Sequence, residues 1–419
     1  MVRHFLRDTY YTTREFSENA RLFLVSTFLV WAGYSVHTVL FNLYLAQGGF
    51  GEEFVGRCLT LTGIGMGLAA LPAGWLSDRL GRRLCLLLGS VGMGVASTLR
   101  AFTLDPALLL AACFGAGAAY ALVAISASPF LSENSETHVR TRLFSAHFIV
   151  ILVANVCGTS AGGLIPELLH RHAPAWAPEL LVAYRWALAA GGVVTVLAAW
   201  PLLSVREQPP LEDPGAPVAP PPRATGPMAK LALNFFLIGC GAGLVIPFFN
   251  LYFANRFGCT SGQIGVYYAL SQVLTALAAL AGPPLARRFG ILETITVLQL
   301  ASLPFLVTLG LESSLPVAVA AFWARAVLMQ TSSPLVNAYA MEVVPPARRA
   351  RATAINNAVW FLGWAGSASL AGWVMARFGY EYPYYLTAAI YGLAAVLFYR
   401  MFRRAAAPGP GAAGGVTAA

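Results

Sequence analysis

The stretch Gly74-Trp75-Leu76-Ser77-Asp78-Arg79-Leu80-Gly81-Arg82-Arg83 breaks a long apolar run with one acid set among arginines. It reads as a helix end, a tight turn that glycine permits, and the start of a second helix. Asp78 can accept hydrogen bonds from arginine and from the N-terminal amides of a helix in one conformation and lose those partners in another. Gly74, Asp78, Arg79, Gly81, Arg82 and Arg83 therefore form a candidate two-state latch. The plain alternative is a basic membrane loop with an incidental acid.

On either side of that loop the chain is almost free of charge. Intervals without Asp, Glu, Lys or Arg run over 22–51, 58–77, 84–99, 106–132, 143–166 and 186–205 in the first half. The second half gives 231–255, 257–286, 294–311, 313–341 (broken by Arg325), 352–376 and 382–399. A membrane-spanning helix needs roughly 20 apolar residues, and flanking arginines can complete the shorter intervals by reaching toward the headgroups. Twelve spans are expected. Weak alternation of polarity and the lack of turn clusters every ten residues argue against a transmembrane β-barrel.

Composition points the same way. Of 419 residues, 58% are hydrophobic and 11% charged, against about 25% charged in a soluble domain, and the mean hydropathy is +0.66. The bilayer is thus the expected solvent and partner. The formal charge of +9 does not point to nucleic acid, because the basic residues sit in short clusters between apolar runs. With the N-terminus inside, twenty Lys and Arg fall in cytoplasmic segments and six (Arg57, Arg100, Arg171, Arg185, Arg256 and Arg377) on the opposite side. That bias places both termini in the cytoplasm of a multi-pass protein of the cell (inner) membrane. Six cysteines lack a C-x-x-C or Cys/His spacing and read as small packing residues. No cofactor and no metal are expected, and neither is an enzymatic activity: the six histidines are scattered, and Gly158-Thr159-Ser160-Ala161-Gly162, formally a nucleophile elbow, lies midway along an apolar span where its strand-to-helix turn cannot form.

The organisation is a cytoplasmic N-terminal segment 1–20, a six-helix bundle 21–204, a Pro-rich linker 205–227, a second bundle 228–404 and a disordered tail 405–419. Residues 1–20 lack the apolar core of a cleavable signal, and the linker, with Pro220-Pro221-Pro222, reads as an extended tether. The halves repeat. Phe41-Asn42-Leu43-Tyr44-Leu45 returns as Phe249-Asn250-Leu251-Tyr252-Phe253, Gly56 as Gly265 and Gly81 as Gly290, at offsets of 208 or 209. Two parallel six-span halves suit a transporter that rocks about a solute held near the midplane.

The Asp78 loop resembles the signature loop of the major facilitator superfamily, and the twelve spans, central linker and half-chain repeat extend that resemblance over nearly the whole chain. It implies an all-α membrane fold of two pseudo-symmetric six-helix bundles, with Asp78 controlling the switch between inward-open and outward-open forms. The second-half counterpart, Pro283-Pro284-Leu285-Ala286-Arg287-Arg288-Phe289-Gly290, has Arg287 where Asp78 would fall. Proton-coupled drug antiporters of that family usually carry an Arg before a Gly-x-Gly in the fourth span. Here Ala111, Ala112 and Cys113 precede Gly115-Ala116-Gly117. Their Gly-Pro-x-x-Gly-Gly of the fifth span appears without its proline, as Gly158-Thr159-Ser160-Ala161-Gly162-Gly163.

Polar residues at membrane depth are few. No carboxylate falls in the middle third of a span, and Glu133 and Glu342, near the ends of spans four and ten, either pair with loop arginines or carry protons. Arg325 lies about ten residues into span ten and needs a partner or a water-filled cavity. It either bonds helix carbonyls or headgroups, or faces the cavity and binds an anionic substrate group. His37 in span one, beside Tyr34, is a candidate for proton coupling or a neutral packing residue. Asn42, Asn250, Tyr268, Gln272, Asn356, Asn357 and Trp360 complete the expected cavity. Aromatic and amide groups with few charges suit a small organic solute better than a bare metal ion. Pro129, Pro247 and Pro334 are candidate hinges. The expectation is a monomeric secondary transporter working by alternating access, exporting its solute with possible use of protons. The alternative is an uncoupled facilitator or a carrier of an anion centred on Arg325, and a polytopic enzyme or receptor is the remote one.

Overall fold

The structure, a computed structural model, describes residues 15–206, 226–311, 314–345 and 348–406. Most of the N-terminal segment, the Pro-rich linker and the tail lie outside the described residues. Helices follow one another as α1 (Glu18–Gln47), α2 (Glu52–Leu80), α3 (Arg82–Phe102), α4 (Pro106–Glu133), α5 (Thr137–His172) and α6 (Leu180–Leu197, followed by the short turn Ala199–Leu203). In the second half α7 runs over Gly226–Val245, breaks at the 3-10 turn Ile246–Phe248 and resumes as Phe249–Phe257. Next come α8 (Ser261–Ala279, then Gly282–Phe289), α9 (Ile291–Leu311), α10 (Leu315–Val343), α11 (Arg349–Phe378) and α12 (Glu381–Ala406). Eleven of these helices are long and apolar enough to cross a membrane, and the two parts of α8, bent by 41°, make the twelfth. No strand occurs among the described residues.

Local chemistry sets the helix ends. Ser17 caps α1 by accepting from the Ala20 amide, and Asp105 caps α4 by accepting from the Leu108 amide at 2.8 Å, with Pro106 in the first helical position. Gly81 and Gly290 sit in the same backbone conformation, φ 92° with ψ 156° and φ 89° with ψ 146°, a region essentially reserved for glycine. Repeat-related positions thus make the same turn between α2 and α3 and between α8 and α9. Leu71, Trp200 and Leu280 are each at least 75% exposed, as expected where hydrocarbon and not water is the solvent.

Two compact units are formed. The first gathers α1–α6 with the segments Gly243–Val273 and Trp364–Tyr380. Inside it the helices approach closely at glycine: a methyl at Gly56 on α2 would meet the Ala368 carbonyl of α11, and one at Gly265 on α8 the Thr159 carbonyl of α5. Those two contacts are exchanged by the half-chain repeat. The second unit holds the start of α7 up to Ala242, Leu274–Gly363 and the chain from Glu381 onward. Its core is a cluster in which Tyr339 packs edge-on against Phe398 and Phe402, while Asn234 of α7 donates to the Ala394 carbonyl of α12.

Arg100 and Arg185, assigned to the side away from the termini, lie near the end of α3 and near the start of α6.

Candidate functional site

The first unit holds a cavity of about 180 Å³. Helical spacing presents its walls: Tyr34, His37, Thr38, Phe41 and Asn42 on α1, Cys58, Leu59, Thr62 and Met66 on α2, Met93, Ser97 and Arg100 on α3. Each set recurs every three to four residues, so each forms one stripe along its helix. Ala116 and Tyr120 of α4, Ile246 and Pro247 at the break in α7, Tyr268 of α8 and Trp364 of α11 complete it. The lining is mainly apolar and aromatic with a few hydroxyls, one amide, one imidazole and one guanidinium, the make-up of a site for a small organic molecule.

Arg100 is the residue that sequence reasoning missed. It is only 7% exposed. Its guanidinium carbon stands 4.5 Å from the centre of the Phe41 ring, and it donates to the Ser97 hydroxyl at 3.0 Å and to the Cys113 sulfur at 3.8 Å. Its Nε has no hydrogen-bond partner. The signal was present in the chain: a charge-free interval over 84–99 is too short to span a bilayer, so the helix had to run through Arg100. His37 is 5% exposed, and neither ring nitrogen closes a hydrogen bond, the Leu188 backbone being the polar group beside it.

Within this unit the end of the cavity away from the Asp78 turn is bridged by hydrogen bonds. Asn42 donates to the Pro247 carbonyl at 2.6 Å and to Asn250 Oδ1 at 3.1 Å, and Asn250 donates back to the Val39 carbonyl at 2.8 Å. These repeat-related asparagines clasp one another's helices. The acceptor lies at the break in α7, where Pro247 stands in the 3-10 turn Ile246–Phe248. Thr60 donates to the Ala365 carbonyl at 2.6 Å and Ser369 to Thr60 at 2.7 Å. Farther out, Tyr380 donates to Glu52 at 2.7 Å while Asn255 donates to both, at 2.8 and 3.1 Å. Burial and the neighbouring Glu52 carboxylate hold the Tyr380 phenol above the usual tyrosine range, which keeps it a donor.

The opposite end carries the Asp78 turn. Arg82 binds Asp78 at 2.5 Å, Glu133 at 3.2 Å and the Ser77 hydroxyl at 3.0 Å, and Ser77 meets Ser126 of α4 at 2.8 Å. Arg83 donates to the Leu202 and Leu203 carbonyls at the end of the α6 segment, and Arg79 stacks on Trp75 at 4.6 Å. Gly74 lies within α2, a turn and a half before its end, and only Gly81 makes the turn.

Of the expected cavity residues, Tyr34, His37, Asn42 and Tyr268 line the cavity. Asn250 is fully buried behind it. The other expected residues lie elsewhere. Gln272 is outside the lining. Arg325, buried in the second unit, donates to the Tyr391 hydroxyl at 3.4 Å. Asn356, Asn357 and Trp360 are also in the second unit, where Asn356 is buried, Asn357 is exposed and the Trp360 backbone packs on Gly239. Glu133 is held by Arg82, and Glu342 is exposed near the end of α10. Pro247 marks the break in α7, whereas Pro129 and Pro334 lie within continuous helices.

The family model of the Major Facilitator Superfamily matches residues 23–231 and 231–417. The chain is 31% identical over 93 residues to the arabinose-proton symporter of Escherichia coli (strain K12), a match over 22% of this chain and 20% of that one. It is 29% identical over 254 residues to the enterobactin exporter EntS of Shigella flexneri, 58% of each chain. The chain thus spans about a fifth and somewhat over half of the lengths of these relatives. Among solved structures, a bacterial homologue of the human lysosomal transporter Spinster, inward-facing and occupied, superposes with a TM-score of 0.76 at 15% identity, covering 92% of this chain and 96% of that one. At that identity the likeness speaks for the fold.

Proposed function

The chain belongs to the major facilitator superfamily, and on that premise we propose that it is a secondary transporter exporting a small organic solute by alternating access. The observation that carries this reading is the cavity of the first unit, bridged at one end by the bond from Asn42 to Asn250 and the bond from Asn250 to the Val39 carbonyl, the two asparagines being residues the half-chain repeat relates. A carrier must be able to open at that seal and close elsewhere. Bonds of side-chain amides and hydroxyls, each of modest net strength, suit a seal that is broken in every cycle. Export is favoured by the relative likeness: the exporter matches over 58% of this chain, the symporter over 22%. Asp78 and Arg82 form the latch in this reading, with both termini in the cytoplasm.

The cavity lining has no carboxylate among the described residues. His37 is therefore the group placed to carry a coupled proton, by virtue of an imidazole facing the cavity. Asparagine in its place should leave solute exchange intact and abolish the response to an imposed pH gradient in proteoliposomes.

The alternating-access mechanism is tested by locking the seal. With Cys157, the exposed native cysteine, replaced by alanine, the pair Glu52→Cys and Tyr380→Cys is bridged with a short bifunctional methanethiosulfonate. Solute exchange should stop on bridging and return on reduction. Exchange that continues in the fully bridged protein would overturn the mechanism.

A further inference from the structure

Resting on the transporter reading, we propose that Arg100 is the seat for the single negative charge of a small organic anion, so that the solute class carried is an organic acid with an aromatic or similarly flat body.

A guanidinium at this depth needs a counter-charge, because removing a cation from water costs several kcal/mol unless it is paired. Arg100 has none. It is more than nine-tenths buried, faces the cavity and forms no ion pair among the described residues. Its contacts are a serine hydroxyl, a cysteine sulfur and the face of Phe41. Its Nε–H is left unused. A carboxylate entering the cavity would take that donor and supply the missing charge, and charge-assisted bonds of this kind are the strong ones.

The surroundings select what carries the carboxylate. Phe41, Tyr34, Tyr120 and Trp364 give the cavity aromatic walls, and Tyr34 meets Tyr120 at 5.7 Å between ring centres. Thr62, Asn42 and the unbonded His37 ring add a few polar contacts for the body of the molecule. One arginine and no acid make the balance that of a monoanion. Chloride would satisfy the charge and leave the aromatic walls without a function, which is why the assignment is to an organic anion.

The test uses the purified full chain in detergent and two isosteric pairs, 4-hydroxybenzoate with 4-hydroxybenzamide and mandelate with mandelamide, at constant ionic strength. Thermal stabilisation should set in at a concentration at least tenfold lower for an acid than for its amide. Arg100→Gln should erase that preference, while its melting temperature without ligand equals or exceeds that of the unsubstituted protein, since an uncompensated buried charge has been removed. Arg100→Lys should keep the preference at weakened affinity, because it retains the charge and loses the planar fork. Equal response to acid and amide, a preference that survives Arg100→Gln, or full stabilisation by chloride alone would each overturn the assignment. So would a protein that responds to no acid and is destabilised by Cys113→Ser, for then a Cys113 thiolate is the counter-charge. Failure of the parent reading looks different: acids would bind with the same charge preference while proteoliposomes show no exchange. Exchange restricted to neutral or cationic solutes would instead remove this inference and leave the transporter.

Discussion

At the scale of single residues, exposure separates contacts that hold the fold from contacts that switch. Asn250 is completely buried, and its amide satisfies the Val39 carbonyl. Asn250→Leu should cost about 1–3 kcal/mol, because a buried polar group loses its partner. A double-mutant cycle of Asn42→Ala with Asn250→Ala should show a coupling of about 0.5–1.5 kcal/mol. Strict additivity in thermal or detergent unfolding would mean the two do not act as one clasp. Asp78 is the opposite case. Its carboxylate is 69% exposed although Arg82 lies 2.5 Å away, and exposed ion pairs contribute roughly 0–1 kcal/mol. Asp78→Asn should therefore leave the melting temperature almost unchanged while slowing solute exchange severalfold. A large loss of stability with normal exchange would make Asp78 structural and remove the latch.

At the scale of elements, the turns are where sequence and structure agree most directly. Gly81 and Gly290 share a backbone conformation that a side chain cannot adopt without strain. Alanine at either should cost about 1–3 kcal/mol, and the two losses should be alike because the turns are repeat copies. Measured unfolding of both variants checks this, and a harmless Gly290→Ala would deny the equivalence. Helix number and turn position were readable because charge-free runs and glycine leave local marks. The cavity wall was less so. Arg100 was taken only as the end of an interval because counting charge-free intervals treats any arginine as a boundary, while a stripe of Met93, Ser97 and Arg100 on one face of α3 was the better guide. Arg325 shows the other limit: its partner Tyr391 stands 66 positions away, and no periodicity within α10 reveals a contact with α12. Pro247 was readable as a bend, and the bond from Asn42 to its carbonyl depends on tertiary packing that no local signal encodes.

At the scale of the whole molecule, the remaining question is which way the chain faces. Arginines gather where α2 meets α3, at the start of α5 and after α6, and these ends share hydrogen bonds: Asn19 donates to Asn134 and to the Arg206 carbonyl, and Arg142 pairs with Glu15. Basic segments resist translocation, so this face should be cytoplasmic. With Cys157 again replaced by alanine, a cysteine at Trp176 in the α5–α6 connection, 73% exposed, should react in intact cells with a membrane-impermeant maleimide. One at Ser204, exposed just after α6, should react only after the membrane is opened. The reverse pattern would turn the molecule over, place the Asp78 turn outside, and make the Asn42–Asn250 seal an inner gate in place of an outer one.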